Sequence, residues 1–205
     1  MTENCSCEIF GIVLAGGRSS RMGQDKAELE INGKTLLRRN QNLLKRVGVS
    51  KVFVSGGKYS DIDDLLPGIG PMAGIYSALA HFKRYHYQQD KTQFKALLII
   101  PIDMPLLDEK TLKDLLLCGA SMRSALHYKN TPMPLLLPIT EENFKSSQKV
   151  INDEGKRSIN RYLNFINCTS ITTDNLQAFI NTNDYQTWIK AQQLIKQGQC
   201  NYGTL

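Results

Sequence analysis

The sequence predicts an α/β fold: a mostly parallel central sheet with helices on both faces, a three-layer α/β/α arrangement. Three observations carry this expectation. Ile9–Leu14 is a short apolar run that breaks at once into a glycine-rich loop. Thr35 to Ser55 reads as helix then strand, which with the first run makes a βαβ unit and implies a right-handed crossover. Ala96–Ile100 is continuous and apolar, as a central parallel strand buried on both faces requires. Ile9–Leu14, Lys51–Ser55 and Ala96–Ile100 are therefore expected side by side.

Taken in order, Ile9–Leu14 is a buried strand, with residues 1–8 frayed ahead of it. Asn32-Gly33 reads as a tight turn, and Thr35 caps a helix that extends to Val47. Leu36, Asn40, Leu43, Leu44 and Val47 share one face at helical spacing, and Leu37 widens the stripe. Lys45 and Arg46 occupy the last turn, and Gly48 stops the helix. Lys51–Ser55 is a strand ended by Gly56-Gly57. The turn-rich stretch Asp64–Gly74 leads into a helix from Ala73 to His86, and the polar stretch Tyr87–Lys95 reads as a surface loop. Ala96–Ile100 then ends at Pro101-Ile102-Asp103-Met104-Pro105. A helix capped by Asp108 runs to Leu117. Ser124–Tyr128 and Leu135–Leu137 are weaker strand patterns, and Thr140–Lys145 is a brief helix. A further helix opens at Gly155–Ile159 and reaches Leu163, and Cys168–Thr172 is a β-branched strand. The last helix, Tyr185–Lys196, buries Tyr185, Trp188, Ile189, Gln192 and Ile195 and stops at Gly198. The 205 residues read as a single domain with a tail over 199–205.

Composition narrows the function classes. Lysine and arginine number 25 against 19 acidic residues, for a formal charge of +6. That balance suits an anionic partner, or solubility alone. It comes without a recognition helix or an aromatic-basic signature, so nucleic acid is not expected. Cys5, Cys7, Cys118, Cys168 and Cys200 are odd in number and contain no C-x-x-C pair, which excludes a disulfide framework and a recognisable zinc site. They read as reduced thiols of a cytoplasmic protein. His81, His86 and His127 lack ligand spacing. Met1–Asn4 does not open a signal peptide, and the longest apolar run is too short to cross a bilayer.

The loop after Leu14 is the chemically loaded stretch. Gly16 and Gly17 let a ligand approach the main chain, successive N–H groups can form an anion-binding concavity, and Arg18, Arg21 and Lys26 add positive charge. A polyphosphate fits this description; an ordinary glycine-rich turn remains the alternative on composition alone. The dinucleotide fingerprint is absent. Gly33-Lys34-Thr35 matches only the end of a P-loop, with Glu28 in place of its first glycine. Asp103 stands just past a central strand, where open α/β sheets place ligands, or it is a turn former between two prolines. In extended chain Asn181 and Asn183 share one face.

Leu14-Ala15-Gly16-Gly17-x-x-x-Arg21-Met22-Gly23-x-Asp25-Lys26 resembles the signature loop of the nucleotidyltransferases that act on molybdenum cofactor, most closely the molybdenum cofactor guanylyltransferases. Related cytidylyl- and sugar-nucleotidyltransferases usually carry Ala in place of Gly16 and lack the Asp25-Lys26 pair. The resemblance extends through Asp64-x-x-Pro67-Gly68-x-Gly70-Pro71-x-Ala73-Gly74, Pro101-x-Asp103-Met104-Pro105, Gly155-Lys156-Arg157-Ser158-Ile159 and the Asn181-x-Asn183 pair. It departs at Ser55-Gly56-Gly57, where family members often carry an Asn near the guanine base.

The resemblance implies a Rossmann-like nucleotidyltransferase fold and transfer of GMP from GTP to the terminal phosphate of molybdopterin. Mg²⁺ is the implied cofactor, and cofactor-insertion and chaperone proteins are the implied partners of a monomeric enzyme. Residues 9–105 would serve mainly the nucleotide and 106–198 the acceptor. Leu14, Ala15, Gly16, Gly17, Arg21, Lys26, Asp64, Gly70 and Asp103 are the implied nucleotide contacts. Arg21, Lys26 and Asp103 would be catalytic, with Asp103 as metal ligand, and Arg157, Asn181 and Asn183 would hold the acceptor. Such a transfer needs no protein nucleophile, so the lack of a Ser/His/Asp or Cys/His constellation does not count against an enzyme. The alternatives are a cytidylyl- or sugar-phosphate nucleotidyltransferase of the same fold and a non-catalytic nucleotide-binding subunit.

Overall fold

The structure, a computed structural model, describes residues 7–16, 25–86 and 94–198. Strand β1 (Cys7–Leu14) is followed by a 3-10 turn at Lys26–Glu28, a hairpin of β2 (Glu30–Ile31) and β3 (Lys34–Thr35), and helix α1 (Leu36–Arg46). Then come β4 (Lys51–Ser55), α2 (Pro71–His86), β5 (Phe94–Pro101), α3 (Glu109–Met122), β6 (Leu126–Tyr128) and β7 (Leu135–Pro138). Helices α4 (Glu141–Asn152) and α5 (Ile159–Phe165), strand β8 (Thr169–Ile171), a 3-10 turn at Leu176–Phe179 and helix α6 (Tyr185–Lys196) complete the described chain.

The main sheet has the order β4-β1-β5-β7-β6-β8. β1 pairs in parallel with both β4 and β5, as the apolar runs predict. Only β7 runs against the others, pairing antiparallel with β5 and with β6, while β6 and β8 are parallel. Ala96 to Ile100 in β5 are fully buried, which explains why that strand shows no polar alternation.

Strand alternation assigns the helices to faces. Gly11, Leu98, Leu136 and Leu126 lie in one register row across β1, β5, β7 and β6. A Cβ on Gly11 would meet Leu44 of α1, and a Cβ on Gly119 of α3 would meet Leu136 and Leu126, so α1 and α3 share that face. Leu14 points to the opposite face and meets Gly74 of α2. There α2 packs on α4, with Tyr76 and Phe144 stacked at 5.7 Å between ring centroids. Three layers result, with the core between them.

Local chemistry sets several boundaries as expected. Asn32 and Gly33 both take positive φ, 51° and 71°, the geometry of a two-residue hairpin turn. Thr35 Oγ1 accepts from the Arg38 N–H at 3.2 Å and so caps α1, and the Asp108 and Asp184 carboxylates cap α3 and α6.

Other expectations need correction. Cys7 and Glu8 are not frayed: they belong to β1 and pair with Phe94 and Lys95, which in turn belong to β5 and not to a loop. The rest of the expected loop, residues 87–93, lies outside the described residues. α3 and α4 outrun the expected Leu117 and Lys145 because their buried faces continue, to Gly119 and to Val150 and Ile151. Tyr185 is 69% exposed; Trp188, Ala191 and Ile195 form the buried stripe of α6 instead.

Gly119 yields a stability test. A Cβ there would overlap Leu136 Cδ2, inside the fully buried β7 row. Gly119→Ala gains up to about 1 kcal/mol of helix preference but overpacks the core, which costs about 1–3 kcal/mol. The midpoint of urea unfolding is expected to fall; a rise would show that Leu136 repacks freely.

Candidate active site

β1 and β5 stay paired until Leu14 opposite Pro101, and the ladder runs one step further through the Ile102 N–H to the Leu14 carbonyl at 3.0 Å. From β1 the chain leaves toward β4 on one side, whereas β5 lies on the other. The carboxyl ends of β1 and β5 therefore flank a switch point, the position where open α/β sheets form a crevice. A cleft of about 430 Å³ opens there, lined by Leu14, Ala15 and Gly16 on one side and Asp103, Asn181 and Asn183 on another.

Lys26 stands at its centre. The Asp25 carboxylate accepts from the Ala27 N–H at 2.9 Å and caps the 3-10 turn that presents the lysine. Lys26 Nζ donates to Asp103 Oδ2 at 3.0 Å and to Asn183 Oδ1 at 2.9 Å. The lysine and aspartate side chains are 15% and 21% exposed, so the pair is shielded but open to the cleft. Three motifs far apart in the chain thus meet at one ammonium group. Asn181 reaches the cleft beside Asn183, while Thr182 between them points inward and is fully buried, the alternation expected of extended chain.

Asp64 arrives by a different route. After β4 the chain turns back on itself: Val54 accepts from the Asp61 and Ile62 N–H groups, and Gly56 N–H donates to the Ile62 carbonyl. Gly56 has φ +73°, and a Cβ on it would stand 3.0 Å from Gly16 Cα. Only glycine allows this contact, which packs the two strand-end loops back to back. A Cβ on Gly16 would stand 3.6 Å from Asp64 Oδ2. Asp64 Oδ1 is buried without a hydrogen-bond partner. Burial pushes the Asp64 carboxyl above the usual range, and a hydrogen bond from the Leu66 backbone offsets part of that.

Gly70, at φ +86°, precedes Pro71, the first residue of α2 and part of the cleft wall. Proline suits this first helical position, where no N–H is required. Across the cleft, the loop between β6 and β7 supplies Thr131, Pro132 and Met133, and Ile159 completes that wall. Arg157 is placed differently. Its Nε donates to the Ile151 carbonyl at 2.6 Å and its guanidinium lies 3.7 Å from Glu154, behind Ile159 in sequence and outside the cleft lining. Gly17 and Arg21 lie outside the described residues.

Among the described residues the cleft offers one ammonium group, two amides and one carboxylate, and no cysteine, serine or histidine lines it. Burial pushes the Cys168 thiol up to about 12, which keeps it protonated and inert. Among the described residues no group of three His, Cys, Asp or Glu could enclose a metal by itself. The oxygen donors of Asp103, Asn181 and Asn183 nonetheless fit a hard divalent cation of the Mg²⁺ kind, which takes one or two carboxylates and completes its shell with phosphate and water. Among the described residues no helix is long and apolar enough to cross a membrane.

A glycine-bordered strand end facing a lysine–carboxylate pair, across the carboxyl edge of a largely parallel sheet, is the working edge of a nucleotide-handling α/β enzyme. Comparison with known proteins specifies the class further. The profile of the MobA-like NTP transferase domain matches residues 11–165. The molybdenum cofactor guanylyltransferase of Xanthomonas euvesicatoria is 33% identical over 184 residues, covering 87% of this chain and 91% of its own length. The chain belongs to the MobA-like NTP transferase family and is a nucleotidyltransferase. Molybdopterin-guanine dinucleotide biosynthesis protein A from Archaeoglobus fulgidus superposes with a TM-score of 0.69 at 22% identity, over 92% of this chain and 99% of its own. A Mycobacterium tuberculosis protein crystallised with manganese has the same fold, with a TM-score of 0.63 at 14% identity over 92% of this chain and 99% of its own.

Asp64 gives a test by pH. Its carboxyl is raised in the folded chain, so the folded state holds a proton that the unfolded state has released. Its burden on stability is therefore absent below the ordinary aspartate range, grows as pH rises from that range to the raised value and is constant above it. Asp64→Asn should gain stability relative to the parent at pH 7 and lose that gain at pH 4, measured by denaturant unfolding at both.

Proposed function

We propose that this enzyme transfers GMP from GTP to the terminal phosphate of molybdopterin, releasing pyrophosphate and forming the guanine dinucleotide of molybdenum cofactor. The observation that carries the reading is the meeting of Lys26, Asp103 and Asn183 at one point of the cleft, in a chain 33% identical to a molybdenum cofactor guanylyltransferase. An oxygen of the acceptor phosphate attacks the α-phosphorus of GTP; a new P–O bond forms as the bond to the β-phosphate oxygen breaks, and the electron pair leaves with pyrophosphate. The protein's task is orientation and charge neutralisation.

In this reading the backbone of Leu14, Ala15, Gly16 and Gly17 cradles the nucleotide. Lys26, with Arg21, neutralises the leaving phosphates, and Asp64 and Gly70 border the guanosine. The approach of Asp64 Oδ2 to Gly16, which lines the cleft, supports that placement. Asp103 holds Mg²⁺, which when bound neutralises phosphate charge and polarises the phosphoryl oxygens. Asn181 and Asn183 hold the acceptor, with Arg157 in support through the segment that presents Ile159. Residues 9–105 serve the nucleotide and 106–198 the acceptor. The enzyme acts as a cytoplasmic monomer that passes its product to cofactor-insertion or chaperone proteins. Reduced thiols at Cys118 and Cys168 support the cytoplasmic placement.

Nucleotide choice is tested by thermal unfolding: GTP with Mg²⁺ should protect, and CTP and UTP should not. Pyrophosphate release with molybdopterin tests the residues. Asp103→Asn should fold, lose most of its turnover and recover partly at high Mg²⁺. Lys26→Ala should weaken GTP binding and slow turnover. Near-parental activity of Asp103→Asn at saturating GTP and Mg²⁺ would remove the mechanism.

A further inference from the structure

The Asp103 carboxylate can neutralise charge at one place only if the backbone beneath it is still. β5 ends at Pro101, so Asp103 itself lies beyond the sheet ladder. Two buried polar side chains take over the anchoring. Thr182 is fully buried, and both its N–H and its Oγ1 donate to the Asp103 carbonyl, at 2.9 and 3.2 Å. Asn40, 4% exposed on the otherwise apolar face of α1, donates through Nδ2 to the Ile102 carbonyl at 3.2 Å. A buried polar side chain costs stability unless it is hydrogen-bonded, and neither residue spends its bond on its own element. Both spend it on the two consecutive carbonyls that flank the Asp103 Cα.

We propose that Thr182 is a positioning residue for the reaction, with Asn40 as the second anchor: it fixes the Asp103 carboxylate toward the metal–triphosphate. The inference rests on the reading of Asp103 as metal ligand. Thr182 sits between Asn181 and Asn183, so the same two hydrogen bonds also set the depth of both amides in the cleft. One residue thereby ties the acceptor side of the cleft to the metal carboxylate, and a shift at Thr182 moves both. Thr182→Val keeps the volume and the backbone donor and removes the hydroxyl. Thr182→Ser keeps the hydroxyl.

The test measures binding of the Mn²⁺–GTP complex, without acceptor, by the enhancement of water-proton relaxation that appears only when the ion is held on the protein. It also measures kcat and KM for GTP, all below the unfolding temperature of each variant. Thr182→Val should weaken Mn²⁺ binding and lower kcat by about five- to tenfold, the scale of one lost hydrogen bond, while KM for GTP stays within about twofold. Thr182→Ser should restore both. Should Thr182→Val not fold, Asn40→Leu carries the same test with the same expected direction. Parental Mn²⁺ affinity in a folded Thr182→Val, or a folded Thr182→Ser as impaired as the valine variant, overturns the proposal. If Asp103→Asn, run alongside, loses Mn²⁺ while Thr182→Val keeps it, the positioning role fails and the metal role of Asp103 stands. If Asp103→Asn itself keeps Mn²⁺, both fall.

Discussion

β1 and β5 run side by side from Cys7 opposite Phe94 to Leu14 opposite Pro101, and the cleft depends on where that pairing stops. A parallel pair delivers both chains to the same edge of the sheet, so the glycine-rich loop and the Asp103 turn emerge together and must diverge. The fully buried β5 strand holds this edge rigid from behind. Had β5 paired antiparallel to β1, Asp103 would lie at the opposite edge, and no loop chemistry would bring it to Lys26.

Around that edge the structure uses close packing on one side and buried polar anchors on the other. The β1 and β4 loops touch through Gly16 and Gly56 without intervening side chains. The Asp103 turn is instead held by hydrogen bonds from Asn40 and Thr182, each reaching in from an element distant in sequence. Both devices limit motion where reacting groups must be held. Backbone packing excludes side-chain freedom, and buried amides and hydroxyls are costly to leave unpaired. Lys26 is less constrained: its long side chain spans the gap between Asp103 and Asn183 and can change partner without moving the fold.

Charge in the cleft is balanced locally. The net charge of +6 belongs to the whole chain and says little about the site. There a lysine, an aspartate and two amides come together, and Asp64 sits partly desolvated against Gly16 and Gly56. On the function proposed above, the ligand brings both negative phosphates and a divalent cation, and the lysine and the carboxylate answer one charge each. The apolar wall of Pro132, Met133 and Ile159 opposite suits the less polar part of a second substrate.

The amino-acid sequence by itself determined the class of fold, the neighbours of β1 and most helix starts. Those depend on local regularities: apolar runs, helical spacing, and capping by Thr35 and Asp108. It also marked Lys26, Asp103, Asn181 and Asn183, because each stands in a motif of recognisable form. Helix ends were less legible, because α3 and α4 stop where their packing stops, and Tyr185 looked buried at helical spacing although no described element covers it. Only the tertiary structure decided that Lys26 meets Asp103 and Asn183, and that Arg157 bonds to the Ile151 carbonyl and not into the cleft. Asn40 looked like one more member of a helical stripe, and Thr182 like a spacer between two amides. Their partners lie 62 and 79 residues away, and a hydrogen bond across that separation leaves no periodic trace in the chain.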